Sequence, residues 1–139
     1  MSEAAAASRF ALQVKVYYED TDAAGVVYYA NYLKYMERAR TEWLASLGLP
    51  LAQFIARHGA LFVVRRVHID YHLPARLNDP LRVTVEVLAR GAARLTLHQS
   101  ILRGDALLTA AEVTLACVDA ARLKPRRLPD DLAAALETA

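Results

Sequence analysis

The chain of 139 residues holds one cysteine, five glycines and five prolines. No stretch approaches the ~18 continuous apolar residues that a membrane-spanning helix requires. The single Cys117 excludes an intrachain disulfide, and within the apolar run "AEVTLACVD" it reads as a small buried hydrophobe. There is no long Lys/Arg block and the net charge is only +2, so composition does not point to nucleic acid. GxSxG and a phosphate-cradling glycine loop are both missing, and no Cys–His pairing is justified, which argues against a serine- or cysteine-hydrolase mechanism. The opening "MSEAAAASRF" has an early acid and no sustained apolar core, unlike a secretion signal, so a cytoplasmic location is expected.

What is present is apolar and patterned. Hydrophobic residues make up 55% and charged residues 23% of the chain, enough for one domain over 1–139 with a core that needs no staples. Residues 1–9 are expected to be a flexible N-terminus. From Phe10 apolar residues alternate through Leu12, Val14, Val16 and Tyr18, which predicts a half-buried strand. The period then changes: Tyr32, Met36, Ala39, Trp43 and Leu47 recur at steps of three and four and predict one long helix, stopped by Gly48 and Pro50. "LAQFIARHG" predicts a shorter helix ending at Gly59.

Strands follow. "LFVVRRVHIDYH" alternates from Val63, and "LRVTVEVL" places Leu81, Val83, Val85 and Val87 on one face. "RLTLHQSILR" and "ALLTAAEVTLACV" are joined by a turn at Gly104–Asp105, and "PDDLAAALE" predicts a short terminal helix. Such short turns imply antiparallel pairing, and the Trp43 stripe must be buried against the concave face of that sheet. The expected class is α+β.

Between the first strand and the long helix stand Glu19, Asp20 and Asp22, followed by Gly25 and the apolar, aromatic "VVYYANY". A calcium loop would use Asp20, Asp22 and Gly25 as positions 1, 3 and 6. Position 5 would then be Ala24, and position 12 would be Asn31 in place of a glutamate, so the match is poor. Helix capping or turn shaping is the plain alternative. The apolar walls favour more: a carboxylate beside a pocket mouth and a helix N-terminus is poised for chemistry.

The run "YYEDTDAAGVVYYANYLKYMERARTEWL" resembles the active-site segment of hotdog-fold acyl-CoA thioesterases of the 4-hydroxybenzoyl-CoA thioesterase family. Within it the likeness is greatest to the Tol–Pal-associated acyl-CoA thioesterases, and it continues through "FVVRRVHIDYHLPARLND" and "CVDAARLKPRRLP". The resemblance implies a five-stranded antiparallel sheet around a central helix, in a homodimer or homotetramer with sites between subunits. It implies that Asp22 is the catalytic carboxylate and that the Tyr29 backbone N–H polarises the thioester carbonyl. Gly25, Val26, Val27, Tyr28 and Asn31 are expected to contribute to substrate binding. The Tol–Pal branch commonly carries His where this chain has Tyr29, a residue that resembles the hydroxybenzoyl-CoA branch instead. The acyl preference is therefore open.

Arg90 and Arg94 of the "RGAAR" turn, with Lys124, Arg126 and Arg127 of "LKPRR", are candidates for the phosphates of CoA. Acyl carrier protein is an alternative carrier. "HIDYH" sets His68, Asp70 and His72 on one strand face; a solvent-facing polar side is favoured over a metal site, and neither metal nor cofactor is expected. His58 and His98 have no partners identifiable from sequence. A hydratase on the same fold would need a His near the motif helix, and none is there. The remaining alternative is an acyl-CoA or acyl-carrier-protein binding module attached to a cell-envelope complex.

Overall fold

The computed structural model describes residues 10–138. The expected flexible segment 1–9 lies outside them. Five strands are formed: β1 (Phe10–Lys15), β2 (Ala60–Tyr71), β3 (Pro80–Arg90), β4 (Arg94–Arg103) and β5 (Ala106–Asp119). Three helices accompany them: α1 (Asn31–Ser46), α2 (Leu51–His58) and α3 (Asp130–Thr138). The sheet order is β1-β3-β4-β5-β2, and every neighbouring pair is antiparallel. The α+β class and the five-stranded sheet are as the sequence predicts.

One helix fills one sheet face because two periodicities meet there. Tyr32, Tyr35, Met36, Ala39 and Trp43 of α1 are buried, as are Leu81, Val83 and Val85 of β3 and Leu95, Leu97 and Ile101 of β4. Each such side chain, fully buried, is worth ~1.5–3 kcal/mol of transfer free energy. Gln99 is the polar exception in this layer. It is fully buried, donating to the Met36 and Thr84 carbonyls at 3.0 and 3.3 Å and accepting from Arg40 Nη1 at 3.0 Å. α2 stops at Gly59, whose φ of +59° closes the helix with an N–H bond to Ile55.

Alternation fails in three places, each for a local reason. β1 ends at Lys15, and Tyr18 opens a single 3-10 turn over Tyr18–Asp20, where it is exposed instead of joining the buried side. The turn forms because Asp20 Oδ2 accepts the Tyr17 N–H at 2.9 Å. In β3 a register shift between Val87 and Ala89 leaves Val87 exposed, off the core face assigned to it. In β2 the register shifts between Val64 and Arg66; Val63 and Val64 are both exposed, and the inward set divides into Ala60 and Phe62 before the shift and Val67 and Ile69 after it. β2 is also an edge strand, paired on one side only by β5.

Candidate active site

The carboxylate segment folds as a small closed loop. Thr21 and Val27 form an antiparallel bridge; the Asp22 N–H donates to the Val26 carbonyl at 2.9 Å, and the Gly25 N–H donates back to the Asp22 carbonyl at 3.0 Å. Gly25 sits at φ +79°, where a side chain would be strained, so glycine is required by the backbone. Asp22 is exposed, and its Oδ1 accepts the Ala24 N–H at 2.9 Å, fixing the carboxylate against the loop. Its Oδ2 has no partner among the described residues.

Asp20 has the opposite role. It is buried, and its carbonyl accepts both the Tyr28 N–H and Asn31 Nδ2 at 2.9 Å, tying the loop to the start of α1. This is the turn-shaping function anticipated for it, carried out away from solvent. Tyr35 lies beneath: burial, then the neighbouring Asp20 carboxylate, hold its phenol far above the usual range. Asn31 is the first helical residue, so its expected place at the site is structural.

Between these bonds lies a gap in the backbone ladder. Tyr28 donates to Asp20 and Asn31 donates to the Tyr28 carbonyl at 2.8 Å. The Tyr29 N–H has no acceptor among the described residues. It stands just before α1, where the helix dipole favours negative charge. Tyr28 and Tyr29 are exposed, Val26 is half-buried and Val27 is buried. Tyr29 packs edge-on to Tyr71 at 6.3 Å, and the Tyr71 hydroxyl donates to the Tyr29 carbonyl at 3.3 Å. These rings, with Val27, Tyr32, Leu73 and Pro74, line a cavity of about 250 Å³. Asp22 is not among its walls within one chain.

The loop leans on the segment before β3, which sequence reading did not single out. Val26 bridges Arg76, the Val27 N–H donates to the Ala75 carbonyl at 2.9 Å, and the Ala75 N–H donates to the Tyr32 hydroxyl at 3.0 Å. Asp79 anchors that segment, accepting from the Arg76 N–H at 2.8 Å and from Arg103 Nη1 at 2.7 Å. Burial would raise the Asp79 pKa, but these donors outweigh it and hold the carboxyl below its ordinary value. A depressed folded pKa contributes stability that is present above the unfolded value of ~3.9 and lost as pH falls through the folded one. Asp79→Asn is therefore expected to remove part of the fall in melting temperature between pH 5 and pH 2, as followed by circular dichroism.

The five-residue set of basic candidates divides. Arg90 and Arg94 line a hollow of about 580 Å³ at the β3–β4 turn, together with Arg65, which was not anticipated. Arg90 also binds the Ala133 carbonyl at 2.8 Å and Glu137 at 3.5 Å. Arg126 and Arg127 line a different surface, beside Asp130 and Asp131, and Arg126 donates to the His58 carbonyl at 2.6 Å. Lys124 is exposed. His58, unassigned from sequence, meets Asp131 at 2.8 Å. In "HIDYH" the strand ends at Tyr71, so His72 leaves the face it was expected to share; it joins the Tyr29 cavity, while His68 and Asp70 stand 3.7 Å apart and exposed.

The model of the family described as "Thioesterase-like superfamily" matches residues 16–136. The chain belongs to the thioesterase-like superfamily. It is 42% identical over 126 residues to the acyl-CoA thioesterase YbgC of Haemophilus influenzae, covering 91% of this chain and 93% of that one. It is 32% identical over 128 residues to a 1,4-dihydroxy-2-naphthoyl-CoA hydrolase of Thermosynechococcus vestitus, covering 91% and 88%. Among solved structures, a probable thioesterase from Bartonella henselae superposes with a TM-score of 0.84 at 34% identity, over 88% of this chain and all 100% of that one. The fold is the hotdog fold of these thioesterases.

Proposed function

We propose that this chain hydrolyses acyl-CoA thioesters to a free carboxylic acid and CoA. The observation that carries the reading is the uncommitted Tyr29 N–H at the start of α1, one short loop from the fixed carboxylate of Asp22. The relatives named above act on CoA thioesters of both kinds, acyl and aromatic acyl, by their names.

The chemistry asks little of the protein. The leaving thiolate has a conjugate-acid pKa of ~8.5, judged by the cysteine thiol, and departs without strong acid assistance. What is needed is a group to activate water or attack the carbonyl, and a donor for the developing oxyanion. Asp22 serves the first need as general base or as nucleophile; the Tyr29 N–H, reinforced by the helix dipole, serves the second. No metal or other cofactor is required for either step.

Asp22 is not among the walls of the Tyr29 cavity within one chain, and the twelve-residue β2 has an unpaired edge. Both features support a homodimer, or a tetramer built from it, with each site shared between subunits. The Arg65, Arg90 and Arg94 hollow suits the CoA phosphates; the exposed Lys124, and Arg126 and Arg127 beside Asp130 and Asp131, suit them less. Acyl carrier protein would present the same thioester. Among the described residues no helix is long and apolar enough to cross a membrane. A cytoplasmic location fits the sequence, and a link to the Tol–Pal machinery rests on the resemblance alone.

Thiol release from acetyl-, butyryl-, palmitoyl- and benzoyl-CoA is the direct test. At least one of the four is expected to be turned over above the uncatalysed rate. Binding of these thioesters with no release from any of them would support the alternative, an acyl-CoA binding module.

A further inference from the structure

α1 carries a second stripe beside its core face. Glu37, Arg40, Thr41 and Leu44 recur at steps of three, one and three, so they lie on one side of the helix. That side borders a cavity of about 370 Å³, closed by Ile55 of α2, Phe62 of β2, and Leu95 and Leu115 of the sheet. The volume is within the usual range for small-molecule sites. The walls are apolar almost throughout, yet a guanidinium faces them.

Arg40 is half-buried there, and its orientation is set from below by the fully buried Gln99, whose Oε1 accepts Nη1 at 3.0 Å. That bond occupies one of the several N–H groups of the guanidinium. No carboxylate among the described residues lies within ion-pair distance of Arg40, although Arg57, Arg90 and Arg103 each have one. Glu37 is close enough to act on Arg40 electrostatically, without pairing. Burial also draws the Arg40 pKa below its ordinary value, against the pull of Glu37. A preorganised cation without a directly paired carboxylate, at the wall of a largely apolar cavity that Glu37 borders, is half of a charge-assisted pair.

We infer that this cavity binds a small carboxylic acid, its apolar body among Ile55, Phe62 and Leu95 and its carboxylate on Arg40. A planar guanidinium matches a carboxylate in a bidentate fork, which selects an anion over a neutral polar end group. Aromatic or branched bodies fit better than extended ones, because the cavity is compact. The inference stands apart from the hydrolytic reading: it concerns binding of a free acid and needs no turnover.

The test uses the full chain, with benzoate as probe and benzyl alcohol as its uncharged counterpart. Titration of the ¹⁵N-labelled protein should shift amide signals of Leu51, Ile55 and Leu61 with benzoate, with benzyl alcohol at least tenfold weaker. Arg40→Met should weaken benzoate tenfold or more and leave benzyl alcohol nearly unchanged. Ile55→Trp, which fills the cavity while keeping Arg40, should abolish both, and it decides the matter if Arg40→Met does not fold. Equal affinity for acid and alcohol, or benzoate binding that survives Ile55→Trp, would overturn the proposal. So would failure of benzoate to bind together with a smaller oligomer for Arg40→Met, because a second copy would then supply the missing carboxylate.

Discussion

Asp22→Asn is expected to lower kcat/KM for thioester hydrolysis by ~100-fold or more, with the melting temperature almost unmoved. A hundredfold loss corresponds to about 2.7 kcal/mol of barrier. The two readouts separate because the side chain has two separable jobs. Asn keeps an oxygen to accept the Ala24 N–H, so the loop around Gly25 is preserved. It lacks the charge and basicity that a base or nucleophile requires. Asp20→Asn makes the matching control: that carboxylate is buried under the loop, and its loss should show first in stability. Hydrolysis by Asp22→Asn within a few-fold of wild type would remove Asp22 from the mechanism.

The largest expected effect on stability is at Gln99→Ala, about 3 kcal/mol, or a fall of roughly 10 °C in melting temperature. The amide joins α1 to the sheet at three points: the Met36 carbonyl, the Thr84 carbonyl and the Arg40 guanidinium. Alanine deletes all three bonds and opens a void where α1 meets β4. The half-buried Arg40 also loses its support, and an orphaned cation costs more than an orphaned carbonyl. Gln99→Glu separates the terms, since it keeps the shape and offers Arg40 a carboxylate but loses the donor to the two carbonyls. Thermal melts of the two variants should differ by several degrees. Equal melts would place the effect in the Nε2 bonds to the Met36 and Thr84 carbonyls, which both variants lose.

The pattern of helix and strands was legible because apolar residues carry it. The stripe Tyr32, Met36, Ala39 and Trp43 is buried as the helical period requires, and Leu81, Val83 and Val85 as the strand period requires. Failure began wherever one residue was added to the count. The register shifts at Val64 and Val87 depend on how two strands pair, which no single strand encodes. Tyr18 left its strand because of a side chain two residues later, Asp20, bonding back to Tyr17.

The site was legible where it is local and obscure where it is assembled. Asp22, Gly25 and Tyr29 fall within one short run, so a tight loop leading into α1 could be read directly. Asp79, Ala75 and Tyr71 reach the same region from a distant part of the chain, in a run whose likeness to the family named no role for them. Arg40 was hidden for a different reason. Its helical spacing shows only that it lies off the core stripe; that a buried amide holds it beside an apolar cavity follows from the packing of α1 on β4.

Cys117 is fully buried on the inner face of β5, and burial, against the charge of Arg126, raises its thiol pKa. In the closed protein it is thus shielded twice, from access and from ionisation. The thiol lies near the end of β5 and is covered by the segment that follows, its Sγ donating to the Arg127 carbonyl at 3.9 Å, so release of that segment is the opening that exposes it. A thiol reagent in solution then acts as a stopwatch on the molecule. At low reagent the labelling rate follows the small equilibrium population of open chains, and at high reagent it levels off at the opening rate itself. The chain's single sulfhydryl thus gives the lifetime of the closed arrangement of β5 and the segment that covers it, with no engineered probe.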